Sequence, residues 1–270
     1  MKCKLVLVGL YILLVGFQVF CQVEDDENEV DQQYDYFKLV LRWPNSYCKT
    51  NTCRKTVPQR FTIHGLWPQR KDGTDLTYCD TTETLTDATL NSFKSDLLEY
   101  WPDLSTNNFE ASKSLWRYQW EKHGTCSASK FNAQEYIERA ILRTKNNDVL
   151  PMLKNAGIQP YGASYSTSRI QKAIKDITLH NPDIKCNKDA KKNIYLYEIH
   201  ICFEYNGRVI RDCRNRVIDC ENKNPIFASR VEAHGTDQAS LLSSIGLQYL
   251  SKHDLRPTET TSSFKTRESY

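Results

Sequence analysis

Eight cysteines place the strongest constraint on this chain. Cys48, Cys53, Cys79, Cys126, Cys186, Cys202, Cys213 and Cys220 are spread through its body, and two more, Cys3 and Cys21, stand near the start. An even set in an exported chain predicts four disulfides. The export reading comes from the first residues. Met1-Lys2-Cys3-Lys4 is basic, Leu5 to Phe20 is apolar apart from Gln18, and an acidic run extends from Glu24 to Asp31. This is the layout of a signal peptide, residues 1–22, with cleavage near Cys21 or Gln22. The apolar run falls short of the roughly 20 residues that span a bilayer. The expectation is therefore a secreted, extracellular protein, free of the membrane after cleavage. Zinc would also use cysteine, but no C-x2-C pair occurs, and the reading carries no metal and no cofactor.

Charge follows the same division. The whole chain carries 36 basic and 33 acidic side chains, net +3. Setting aside Lys2, Lys4 and the six acids of residues 24–31 leaves 34 against 27, or +7 for the body. A basic body suits a polyanionic partner, and it equally suits simple solubility. Residues 23–33 read as an acidic disordered segment. One domain is expected over 34–229, followed by an extension, 230–270, of uncertain structure.

Tyr36 to Trp43 alternates bulky apolar and polar residues and reads as a strand. Phe61 to Leu66 reads as another, ending at Trp67-Pro68, and 70–82 as a polar loop. Leu85, Thr89, Phe93 and Leu97 recur every fourth residue, a helical pattern closed by Trp101-Pro102. Ser112 is placed to cap a helix running to His123, with Gly124 as its stop. Asn132 caps the next, with Tyr136, Ile137, Ala140 and Ile141 on one face. A short helix covers Leu150 to Ala156. Ser168 caps another that buries Ile170, Ala173, Ile174 and Ile177. Ile194 to Tyr205 is the strongest strand. Asn206-Gly207 is a hairpin signal and Arg208 to Cys213 the return. Cys202 and Cys213 flank that turn, so their pairing is natural, with Cys186 and Cys220 closing around them. Leu241, Leu242, Ile245 and Tyr249 suggest one further helix.

Two segments carry chemistry: Phe61-Thr62-Ile63-His64-Gly65-Leu66-Trp67-Pro68, and Leu115 to Cys126, which contains Lys122-His123-Gly124. Each sets a His before a Gly among tryptophans. Cleaving RNA without a metal needs such a pair. The 2′-OH must lose a proton to attack phosphorus, and the 5′-oxygen must gain one to leave. Imidazole titrates at about 6.5 unperturbed, so one neutral and one protonated His divide the work. A cation stabilises charge on the phosphoryl oxygens, and Lys122 adjoins His123. On a helix, Gln119, Lys122 and His123 share one face, with Glu121 turned away. Trp67 is placed to stack on a nucleobase. The residues alone leave a structural role for either His open. His180, His200, His234 and His253 have no clear partners, and His200, within a strand, reads as structural.

Both segments resemble the two active-site signatures of the T2 ribonuclease family, the second ending in Lys-His-Gly-x-Cys. The likeness continues over roughly 34–229, through YFKLVLRWP, Cys48/Cys53, LKNAGI, IKCNK and EIHICF…VIDC. Among plant members it is most similar to the self-incompatibility ribonucleases of the pistil. The resemblance implies an α+β fold, a curved and mainly antiparallel sheet packed with helices. It implies endonucleolytic cleavage of single-stranded RNA by transphosphorylation to 2′,3′-cyclic phosphates. His123 takes the place of the general base, His64 of the general acid, Lys122 of the stabilising cation and Trp67 of a base-stacking residue. It implies the disulfides Cys48–Cys53, Cys79–Cys126, Cys186–Cys220 and Cys202–Cys213, and a monomer whose partners are RNA and pollen F-box proteins of a ubiquitin ligase. Loop 70–82 is a candidate for that protein recognition. An S-like ribonuclease for defence or phosphate recovery is the alternative. A weakly active binding or storage protein is a third reading, because Tyr118-Gln119 stands where many members have His-Glu. In the site, Tyr118 is expected to touch substrate and Gln119 to hydrogen-bond a phosphate oxygen.

Overall fold

The alternation in Tyr36–Arg42 makes β1, the strand around which the molecule is built. Phe37, Leu39 and Leu41 enter the core, and the intervening side chains face the other way. A computed structural model describes residues 34–79, 82–213, 220 and 222–229. The expected signal peptide, the acidic segment, the 230–270 extension and its helix lie outside the described residues. β1 pairs antiparallel with β2 (Thr62–Gln69) on one side and with β4 (Ile194–Glu204) on the other. β3 (Asp183–Lys188) and the short β5 (Ile210–Arg211) also pair antiparallel with β4. The path is β2-β1-β4-β3.

One face of the sheet is apolar. Leu39, Leu41, Ile63, Leu66, Ile199, Ile201 and Phe203 join one core with Trp116, Trp120, Tyr136 and Ile137. Trp116 and Trp120 come from α4 (Phe109–Lys122), Tyr136 and Ile137 from α5 (Ala133–Asn146). Three buried aromatic tips bond to backbone carbonyls. Trp116 Nε1 donates to the Trp101 carbonyl at 2.8 Å, Trp43 Nε1 to Ala228 at 2.9 Å, and the Tyr136 hydroxyl to Leu66 at 2.8 Å. Disulfides join Cys48–Cys53, Cys79–Cys126, Cys186–Cys220 and Cys202–Cys213. The architecture is α+β, a mainly antiparallel sheet with helices against it.

Local chemistry shifts several element boundaries. α4 starts three residues before Ser112, because Asn108 accepts from the Ala111 amide at 3.1 Å and caps it; the Ser112 hydroxyl instead donates to the Asn108 carbonyl within the helix. The cap of α7 (Thr167–Thr178) is Ser166, two residues before Ser168. Ile177, in its last turn, is exposed rather than buried. The 85–97 pattern divides at Phe93 into two short helices, Asp87–Ser92 and Lys94–Tyr100. Asn132 caps α5 in a full capping box with Glu135.

Candidate active site

The other face of the sheet is polar, and a bulge places the first histidine on it. Register runs Leu39↔Leu66, Val40↔Gly65, then Leu41↔Ile63, so His64 is an extra residue in β2. In a regular strand, positions three apart face opposite ways. The bulge lets Ile63 and Leu66 both enter the core while His64 and Trp67 stand together outside it.

The second histidine caps α4. The His123 amide still donates to the Gln119 carbonyl at 3.0 Å, but its backbone leaves helical geometry at φ −120°. Loop 70–79 folds back over this end. The Leu76 amide reaches the Pro68 carbonyl and the Tyr78 amide reaches Lys122. Cys79–Cys126 staples the loop to the 3₁₀ turn Gly124–Ser127, immediately after His123.

Trp67 links the two imidazoles. It stacks on His123 with ring centres 4.8 Å apart and planes at 23°, and meets His64 edge-on at 5.1 Å. Its Nε1–H donates to Gln119 Oε1 at 3.2 Å. A Cβ on Gly65 would overlap both Trp67 Nε1 and Gln119 Oε1, which is why this strand position is glycine. Two expected site residues meet here. One ring face of Trp67 is taken by His123, and the half-buried indole also lines the cavity beside the site. Gln119 is buried with Oε1 accepting from Trp67, a bond that uses its acceptor and not the amide N–H donor a phosphate oxygen would need.

Each histidine is tied through Nδ1. His123 Nδ1 lies 3.3 Å from the Leu76 carbonyl, and His64 Nδ1 lies 2.7 Å from Glu198 Oε1. A carbonyl only accepts, so His123 carries its neutral proton on Nδ1 and leaves Nε2 bare. Burial lowers its pKa to about 4, with the Lys122 charge helping. Burial also lowers that of His64, while the hydrogen bond and charge of Glu198 oppose the shift. Burial would raise Glu198, but hydrogen bonds from His200 and His64 hold it far below the usual carboxylate range.

Lys122 is hydrogen-bonded to the Tyr118 hydroxyl, which raises the lysine pKa and lowers the phenol's. Its Nζ sits 5.4 Å from the Tyr118 ring centre. Tyr118 is exposed, beside the exposed Tyr78. Of the three residues expected on one helix face, Gln119 and His123 are buried and Lys122 is half-buried.

Sequence reasoning passed over Glu198 and His200. His200 is no isolated strand residue, since its Nε2 lies 3.3 Å from Glu198 Oε2. Arg42 Nε lies 3.4 Å from Glu198 Oε1. The signal was present: two polar residues, two apart, on one face of an otherwise apolar strand. A cavity of about 450 Å³ opens beside them, lined by Lys38, Trp67, Asp75, Lys185, Glu198 and His200 among others.

Comparison with known proteins decides the family. The family model described as "Ribonuclease T2 family" matches residues 34–213. The chain belongs to the ribonuclease T2 family. Tomato (Solanum lycopersicum) supplies two relatives. Extracellular ribonuclease LE is 35% identical over 188 residues, covering 67% of this chain and 81% of its own length. Intracellular ribonuclease LX is 37% identical over 189 residues, covering 67% and 78%. Among solved structures, the self-incompatibility associated SF11-RNase of Nicotiana alata superposes with a TM-score of 0.63 at 35% identity, covering 72% of this chain and 99% of that one. The T2 assignment makes the chain a ribonuclease, and RNA its substrate.

Proposed function

We propose that this ribonuclease cleaves single-stranded RNA by transphosphorylation, with His123 as general base and His64 as general acid. The observation that carries this reading is the pair of imidazoles gathered on Trp67, each anchored through Nδ1, which leaves Nε2 as the nitrogen to exchange a proton. His123, with its lowered pKa, is neutral near pH 6 and takes the 2′-OH proton. The 2′-oxygen then attacks phosphorus and the bond to the 5′-oxygen breaks. His64, in its protonated form and hydrogen-bonded to the Glu198 carboxylate, gives a proton to that oxygen. Lys122 remains a cation and neutralises charge on the phosphoryl oxygens. No step requires Gln119 to carry a proton, so glutamine there does not remove the acid–base pair.

Product analysis tests the reaction. Phosphorus NMR of a dinucleoside phosphate digest is expected to show a 2′,3′-cyclic phosphate, and a 2′-deoxy analogue is expected to survive. A 5′-phosphate product, or cleavage of the deoxy analogue, contradicts the scheme.

For biological setting, the reading is a secreted monomer acting in pollen rejection, with pollen F-box proteins as partners and loop 70–82 as their contact. The likeness to SF11-RNase supports it. Pistil-restricted, allele-variable expression is the expected result. Broad expression in leaves or ageing tissue favours the S-like role instead.

A further inference from the structure

Glu198 is a buried carboxylate whose neighbours are unusually well defined. Only 5% of the residue is exposed. Arg42 approaches from β1, His64 from β2 and His200 from its own strand, and Lys185 of β3 stands opposite it in register. A buried carboxylate requires partners, and the contacts are unequal. Arg42 and His200 lie at 3.4 and 3.3 Å, while His64 lies at 2.7 Å, within the range of a charge-assisted bond. The weaker contacts hold the carboxylate in place. The short one is made to a histidine that is only partly buried.

We propose that Glu198 is the positioning residue of His64: it fixes the Nδ1–H tautomer, aims Nε2 at the leaving oxygen and stabilises the imidazolium that donates the proton. The proposal rests on the two-histidine reading above for its consequence in catalysis, but the pair itself is measurable without any substrate. The physics is that of any carboxylate–imidazole pair. A neutral imidazole free to choose would put its proton on either nitrogen, and a carboxylate at Nδ1 removes that choice. His200 closes the cradle from the other side: its Nε2–H occupies Oε2, which leaves Oε1 to His64 and Arg42. Among the described residues the buried His200 Nδ1 has no hydrogen-bond partner, as expected of a ring oriented for Glu198.

Nitrogen-15 NMR of the histidine side chains, recorded on the purified protein across pH, tests this directly. Neutral His64 in the wild type is expected as the Nδ1–H tautomer. Glu198→Gln is expected to lower the His64 pKa by about one pH unit or more, since an opposite charge at this range favours the cation. The basic limb of the kcat/KM profile should move to lower pH with it, and kcat should fall on the order of 10²-fold with KM little changed. Glu198→Asp, which keeps the charge, should recover part of the loss. A neutral His64 protonated on Nε2, or a folded Glu198→Gln variant with unmoved His64 titration, overturns the proposal. If Glu198→Gln does not fold, the wild-type tautomer and the Glu198→Asp titration decide. A wild type that cleaves no RNA refutes the functional reading while leaving the titration to judge the pair.

Discussion

Trp67 lies face to face with His123, ring centres 4.8 Å apart, and its indole N–H is spent on Gln119 rather than on substrate. One ring touches both imidazoles, so under the proposed mechanism Trp67 would help to position the acid–base pair. Trp67→Ala is expected to lower kcat/KM on the order of 10²-fold, the scale at which small misplacements act. Trp67→Phe, which keeps a flat ring but loses the N–H, should lose less. A Trp67→Ala variant that changes only KM would assign the ring to base binding instead.

Gly65 follows from the same contact. An added methyl collides with Trp67 and Gln119, so Gly65→Ala is expected to cost about 1–3 kcal/mol of stability, as overpacking does, and to reduce activity through Trp67. Urea unfolding with a parallel rate measurement checks both. Unchanged stability would mean that Trp67 has room to move.

The pKa directions set the pH profile. His123 must be deprotonated to act as base, so activity rises as pH passes about 4. His64 must be protonated to act as acid, and burial places its pKa below the usual 6.5, so activity falls before that value. The expected kcat/KM profile is a bell with its maximum between about 4 and 6.5. A maximum above pH 7 would contradict this assignment of base and acid.

Cys79–Cys126 holds the loop that supplies the Leu76 carbonyl to His123. Replacing both cysteines with serine is expected to lower stability by about 2–4 kcal/mol. It should also reduce kcat while the protein is still folded, because His123 loses its anchor. Loss of stability alone, with kcat intact below the transition, would separate the staple from the site.

Much of this was legible in the sequence. β1 and β4 announce themselves by alternation, and Asn132 with Glu135 marks the start of α5. Both histidines and Lys122 are visible in their signatures. The rest depends on tertiary context. The bulge at His64 arises from pairing with β1, which no local pattern reports. β3 is a short, polar stretch whose strand character comes from β4. Glu198 lies 134 residues from His64 and meets it only because β1 lies between β2 and β4. Helical spacing puts Gln119 on one face with Lys122 and His123, but its contact with the Trp67 indole over Gly65 is visible only in the fold.

The central claim is that two histidines carry the reaction. RNA degradation by the wild type, His64→Ala and His123→Ala, each with and without EDTA, tests it most directly. The account predicts loss of about 10²- to 10⁴-fold in either variant and no effect of EDTA on the wild type. Undiminished cleavage by either folded variant, or loss of wild-type activity in EDTA, would contradict it.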